Sequence, residues 1–207
     1  PEVLWRTPPV LALARVPGVP LDEPGRPSIA PRAAWTAAGS TIRRLHDAPL
    51  PPWPLPYTNA ARWASDRSLA ASLDEECDWL TAHQILPTDV IERNRTRALT
   101  VLRPWRPVFI HGDLHIEHVL VEGGDVTGVL DWSEAAPGDA AFDLASLTLA
   151  HPDRLGDLLA GYGDDIDRDR VVAWWSYRCL TAVRWLIENG YGPPESYPEV
   201  AMLRSVP

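Results

Sequence analysis

Between residues 111 and 131 the chain places His111, Asp113, His115, His118 and Asp131, with Asp139 and Asp143 shortly after. Carboxylates and imidazoles gathered this way suit phosphoryl transfer. One carboxylate accepts or orients the proton of an attacking hydroxyl, and the other groups hold Mg²⁺ against the phosphate oxygens. A competing chemistry is a metal-dependent hydrolase built on His111, His115, His118 and Asp131, which needs these ligands in tetrahedral or facial geometry around Zn²⁺ or Mn²⁺. His118 also has a plain alternative, an imidazole satisfied by a nearby carboxylate without any metal. Asp139 precedes a helix-like stretch and suits an N-terminal cap, and Asp143 reads as structural beside it.

The elements that must position these groups are short. Val108-Phe109-Ile110 and Val119-Leu120-Val121 are apolar runs on either side of a polar loop, and Val126 to Leu130 is a third, ending at Asp131. Glu122-Gly123-Gly124-Asp125 lies between the last two runs, so they read as a hairpin and not as helix. Pairing its strands sets His118, at the start of one, near Asp131, at the end of the other, with Asp113 just upstream. A hairpin is rigid, which suits a reaction governed by positioning and electrostatics.

His111-Gly112-Asp113-Leu114 with His118, then Leu130-Asp131-Trp132, then Gly138-Asp139 and Phe142-Asp143-Leu144-Ala145, resembles the aminoglycoside phosphotransferase family of small-molecule kinases. The resemblance implies a protein-kinase-like α+β fold, here a mainly helical C-terminal lobe with a catalytic β-hairpin and a remnant of the N-lobe and hinge strand. It implies Asp113 as catalytic base, Asp131 as a Mg²⁺ ligand, and transfer of the γ-phosphate of ATP or GTP to a hydroxylated small molecule. The family's metal-binding Asn falls on His118, a departure that the macrolide phosphotransferases share; imidazole offers nitrogen where Mg²⁺ prefers oxygen. His111 and His115 are expected to support the loop.

Val10 to Ala14 reads as a strand running into Arg15-Val16-Pro17-Gly18-Val19-Pro20-Leu21. This is similar to the family's last N-lobe strand and hinge, which implies that backbone groups of Ala14, Arg15 and Val16 meet the nucleotide base. Residues 1–21 would then be strand and hinge, and 22–207 the C-lobe with the acceptor site. The glycine-rich loop, strand Lys and partner Glu of such kinases are not found before residue 9, so most of an N-lobe is expected to lie outside this sequence. All 19 basic residues are Arg, so no Lys can grip the α- and β-phosphates. That shortfall keeps open a catalytically inactive kinase-like binding module.

Composition narrows the classes. A net charge of −9 argues against nucleic acid, which wants clustered cations, and is compatible with a cationic small substrate. No apolar run reaches the ~18 residues of a membrane span, no signal peptide opens the chain, and Cys77 and Cys179 read as free core thiols. A cytoplasmic protein is the expectation.

The remaining pattern is helical. Helices are expected over Ala30 to His46, over 60–82 with a Ser72–Glu75 capping box, and over 89–102 capped by Thr88. Others are expected over Ala141 to Ala150, Arg154 to Leu159, and Arg170 to Glu188 with Asp167 or Asp169 at its start. Five prolines between Pro49 and Pro56 imply an extended loop. In the last helix Trp174, Tyr177, Arg178 and Trp185 are expected to thicken an apolar face, the alternative being that some of its aromatic faces line an acceptor pocket. The four acids from Asp164 to Asp169 lack the glycine and terminal Glu of an EF-hand, and helix capping is the expected use.

Overall fold

The computed structural model describes residues 2–23, 26–50, 66–103 and 105–205. Most of the Pro49 to Pro56 stretch and the start of the 60–82 helix lie outside them.

The long helix α6 (Arg168–Glu188) organises the core. It carries Trp174, Tyr177, Cys179 and Leu180 fully buried and packs against α2 (Asp66–Ala82), α3 (Thr88–Leu99), α4 (Ala140–Thr148) and α7 (Pro198–Ser205). Only a helix apolar around most of its circumference can serve so many neighbours. Asp167 starts α6 by accepting from the Asp169 amide, as its position suggested. Helix α4 is buried along nearly its whole length, and Asp139 caps it through the Ala141 amide.

Helix α1 (Arg32–His46) lies across α5 (Leu155–Tyr162). The crossing is made by Gly39 and Gly161: a Cβ on either would strike the partner's backbone, at Leu158 and Thr36 respectively. Thr36 Oγ1 adds a hydrogen bond to the Asp157 carbonyl at 3.1 Å, and Ser40 Oγ one to the Gly161 carbonyl at 3.1 Å. The backbones meet because no side chains stand between them.

Three small sheets hold the loops. Strand β5 (Val119–Glu122) pairs antiparallel with β6 (Asp125–Val129), the expected hairpin, and on its other edge with β3 (Val19–Pro20). Gly18, at φ +98°, turns the chain into β3, where a Cβ would press on the Val121 carbonyl. Strand β4 (Val108–Ile110) pairs with β7 (Ala136–Gly138) and not with the hairpin. An Ala-Pro-Gly strand has no apolar alternation to betray it. Likewise β2 (Val10–Leu13) pairs with β1 (Val3–Thr7), a strand the sequence reading left out.

Several local expectations are corrected. Ser72 lies inside α2, so the Ser72–Glu75 box caps nothing. Thr88 is the first residue of α3 rather than its cap; Pro87 holds that place and makes no side-chain bond. Arg178 and Trp185 do not thicken the buried face of α6, because both line an open cavity and Trp185 is 54% exposed. Cys77 and Cys179 are free and buried, and burial pushes the Cys77 thiol up to about 12. Among the described residues no helix is long and apolar enough to cross a membrane.

Gly161→Ala should force α1 and α5 apart. The expected cost is about 1–3 kcal/mol, typical of overpacking, read as a lower urea midpoint with an unchanged slope.

Candidate functional site

The polar loop after β4 is held from beneath by one carboxylate. Asp143, fully buried in the first turn of α4, accepts the His111 amide at 2.7 Å and the Gly112 amide at 3.0 Å. It also accepts His46 Nε2 at 3.1 Å. A carboxylate only accepts, so His46 Nε2 carries the proton and its Nδ1 accepts the Tyr162 hydroxyl at 2.9 Å. The relay ties α5, the end of α1, α4 and the loop together. Gly112 sits at φ +83° with the Glu134 carbonyl where a Cβ would be, so only glycine fits.

Histidines fix the rest of the loop. His111 Nε2 donates to the Leu130 carbonyl at 2.8 Å, leaving Nδ1 to accept the Asp113 amide at 3.3 Å. That bond reaches across to the end of β6. His118 Nδ1 donates to the Asp113 carbonyl at 2.9 Å, so the neutral ring keeps a lone pair on Nε2. This lone pair faces Asp131 Oδ2 at 4.0 Å, and Leu130 N bonds the His118 carbonyl at 2.8 Å. Asp131 is a non-glycine residue at φ +58°, an unfavourable conformation of the kind that gathers at functional sites. Its Oδ1 accepts the Ser133 hydroxyl at 2.9 Å.

Asp113 points its carboxylate toward α6. Oδ1 accepts His115 Nε2 at 2.9 Å and Arg178 Nη2 at 3.0 Å, whereas no partner for Oδ2 was found among the described residues. Burial pushes this carboxyl up, but the His115 hydrogen bond outweighs it together with the charges of His115, Arg178 and His118, the imidazoles being protonated at the acid pH where Asp113 titrates, and the value falls to about 2. Asp113 is therefore ionised at every physiological pH. Arg178 is the residue the sequence reading misjudged. The signal was present, since a charge amid the buried run of α6 must find a countercharge or reach solvent.

A cavity of about 650 Å³ opens beside these groups. Asp113, His115, His118, Asp131 and Arg178 line it, and α6 and the segment after it close the far wall with Trp185, Tyr191 and Glu199. The Trp185 and Tyr191 rings lie 5.3 Å apart, both largely exposed. His111 stands behind the wall, fully buried. Asp139 is remote from the loop: besides its cap it takes Arg170 Nε at 2.8 Å and Trp174 Nε1 at 2.6 Å, a structural use. Ala14, Arg15 and Val16 do not line this cavity. The Ala14 amide bonds the Glu2 carbonyl at 2.8 Å, which leaves its own carbonyl as the group it could offer a base.

Among the described residues no group of three or more His, Cys, Asp or Glu could hold a metal ion. The four-residue hydrolase set fails here, because His111 spends both ring nitrogens on the backbone. The His118–Asp131 pair fits a different demand. Mg²⁺ commonly takes one or two protein ligands and completes its shell with phosphate oxygens and water. His118 Nε2 and Asp131 Oδ2, 4.0 Å apart and both facing the cavity side of the hairpin, are the donors that would hold such a cation.

The model of the phosphotransferase enzyme family matches residues 1–174. The chain belongs to this family. It is 30% identical over 177 residues to viomycin phosphotransferase of Streptomyces vinaceus, an alignment covering 80% of this chain and 60% of that protein. The chain thus spans well under two thirds of that relative's length. Solved structures share the fold at lower identity. A macrolide 2'-phosphotransferase type I superposes with a TM-score of 0.65 at 20% identity, covering 100% of this chain and 72% of its own. A choline/ethanolamine kinase family protein from Mesorhizobium loti gives 0.68 at 19%, covering 100% and 72%. A spectinomycin phosphotransferase solved with ADP and spectinomycin gives 0.57 at 16%, covering 95% and 70%. The phosphotransferase fold is therefore protein-kinase-like, as the motifs implied.

Because the Asp113 carboxyl lies below its ordinary 3.8, it stabilises the folded phosphotransferase chain fully above that pH and ceases to do so as pH falls through about 2. Unfolding free energies measured from pH 6 to pH 2 should show a gap between wild type and Asp113→Asn that narrows only below about pH 4. Asp143→Ala strands two loop amides and an imidazole, and should cost about 2–4 kcal/mol in the same measurement.

Proposed function

We propose that this chain carries the phosphoryl-transfer centre of a nucleotide-dependent O-phosphotransferase, moving the γ-phosphoryl group of ATP or GTP to a hydroxyl of a small molecule. The observation that carries the reading is the state of Asp113: one oxygen clamped by His115 and Arg178, the other open, beside the His118–Asp131 pair in a cavity large enough for a drug-sized acceptor. In this reading residues 1–21 are the last strand and hinge of an N-lobe, with Ala14, Arg15 and Val16 beside the base, and residues 22–207 are the C-lobe.

Asp113 orients the acceptor hydroxyl through Oδ2. The acceptor oxygen bonds to the γ-phosphorus as the bond to the β–γ bridging oxygen breaks, releasing nucleoside diphosphate, and the hydroxyl proton passes to Asp113 Oδ2. A carboxylate held at about 2 is a weak base. Positioning of the hydroxyl is accordingly the larger contribution, in keeping with a loose phosphoryl transition state. His118 and Asp131 would hold Mg²⁺, which supplies charge neutralisation for the phosphate oxygens when bound. His111 and Asp143 set the backbone from which these side chains project.

Charge selects the acceptor. Among the described residues five carboxylates line the cavity, from Asp113, Glu117, Asp131, Glu134 and Glu199, against the one guanidinium of Arg178. A hydroxylated antibiotic or metabolite bearing amino or guanidino groups suits that balance, and the exposed Trp185–Tyr191 pair offers ring faces to such a cation. The similarity to viomycin phosphotransferase supports an antibiotic acceptor.

Asp113→Asn should lower the transfer rate about 10²–10⁴-fold while the nucleotide KM stays within a few-fold of wild type, measured by a coupled nucleoside-diphosphate assay over a panel of antibiotics. A variant as fast as wild type would overturn the assignment. A protein that binds nucleotide but transfers to nothing would favour the non-catalytic module.

A further inference from the structure

The end of the cavity wall built from α4 and the turn after it differs in chemistry from the end built from the catalytic loop. Ser146 comes from α4 and His151 from the turn that ends it; Ser146 is 4% exposed and His151 1%, and both line the cavity. Ser146 Oγ and His151 Nε2 have no hydrogen-bond partner among the described residues, and neither does Nε of Arg178, the neighbour of the Nη2 that holds Asp113. Buried polar atoms are almost always satisfied, so orphans gathered around one cavity point to something that fills it. Leu147, Leu149 and Ala182 separate them with apolar wall.

We infer that Ser146, His151 and the Nε edge of Arg178 form a hydrogen-bonding subsite for an uncharged hydroxyl- or carbonyl-bearing edge of the acceptor, and so decide which acceptor hydroxyl faces Asp113. The inference rests on the phosphotransfer reading. The atoms left unpaired here belong to a hydroxyl, an imidazole and a guanidinium, so an uncharged acceptor edge suits them better than a second cation. Burial holds the His151 ring below the usual imidazole value, against the nearby charges of Asp22 and Asp153 and with that of Arg154. The ring is then neutral near pH 7 and offers one donor and one acceptor, while Ser146 offers both and Arg178 Nε a donor. An alcohol or carbonyl edge of a polyol or lactone complements that set. Arg178 links the two ends, since the guanidinium that meets the acceptor also holds the carboxylate that orients its hydroxyl.

The test uses Ser146→Ala, His151→Asn and their combination, with spectinomycin and viomycin as probe acceptors. The combined variant should raise the acceptor KM about ten-fold, with kcat and the nucleotide KM within two-fold of wild type. Phosphorus NMR of the product should change from one phosphate ester to a mixture of positions. An unchanged KM and a single unchanged ester would overturn the subsite, as would a fall in kcat that tracks lost thermal stability. If the wild-type protein transfers to neither probe, the phosphotransfer reading is what suffers, and calorimetry of the same probes reads the subsite without chemistry. There, a ten-fold weaker affinity in the combined variant supports it, and equal affinity or no binding to wild type overturns it.

Discussion

The buried carboxylate of Asp143 is the constraint on which the site depends. Two consecutive amides, His111 and Gly112, can meet one carboxylate only if the chain turns sharply there, and the turn throws Asp113 outward toward α6. A fully buried carboxylate is tolerated because every nearby partner donates to it, including an imidazole that is itself supplied by Tyr162. Removing any donor leaves charge in a dry interior. The loop therefore has one stable geometry, and the reactive groups inherit their positions from it.

Around that anchor the histidines act mainly through their tautomers. His111 donates to the Leu130 carbonyl and His118 to the Asp113 carbonyl, so each spends its N–H on backbone and exposes a lone pair. The His111 lone pair goes to an amide, and that of His118 is left facing Asp131. Near-identical side chains thus serve as a splint in one case and a ligand-ready nitrogen in the other. Asp113 is set by a third arrangement, in which cations hold one oxygen and leave the second available.

The motifs in residues 109–145 made the hairpin, the meeting of His118 with Asp131, and the Asp139 cap legible, because each depends on local spacing. The helices between Ala30 and Glu188 were legible for the same reason, through apolar periodicity, whereas α7 was not foreseen. Legibility failed where an element had no pattern of its own. β7 is Ala-Pro-Gly and exists because β4 needs a partner. Ser72 looked like a cap because a Ser-x-x-Glu spacing arises by chance inside helices as well as at their starts. Arg178 looked like part of an apolar stripe because periodicity reports which face a residue occupies, not what waits opposite it.

The sequence alone determined the chemistry on offer: which carboxylates and imidazoles exist, the turn that only Gly112 permits, and the hairpin that pairs distant strand ends. These are properties of neighbours along the chain and of short-range sterics. Only the tertiary structure decided how that chemistry is tuned and aimed. Arg178 reaches Asp113 from a helix 65 residues away, Asp143 grips the loop from 31 and 32 residues away, and His46 reaches Asp143 from 97. Charge and hydrogen bonding act across space, so their outcome is written where the helices pack and not where the residues stand in line.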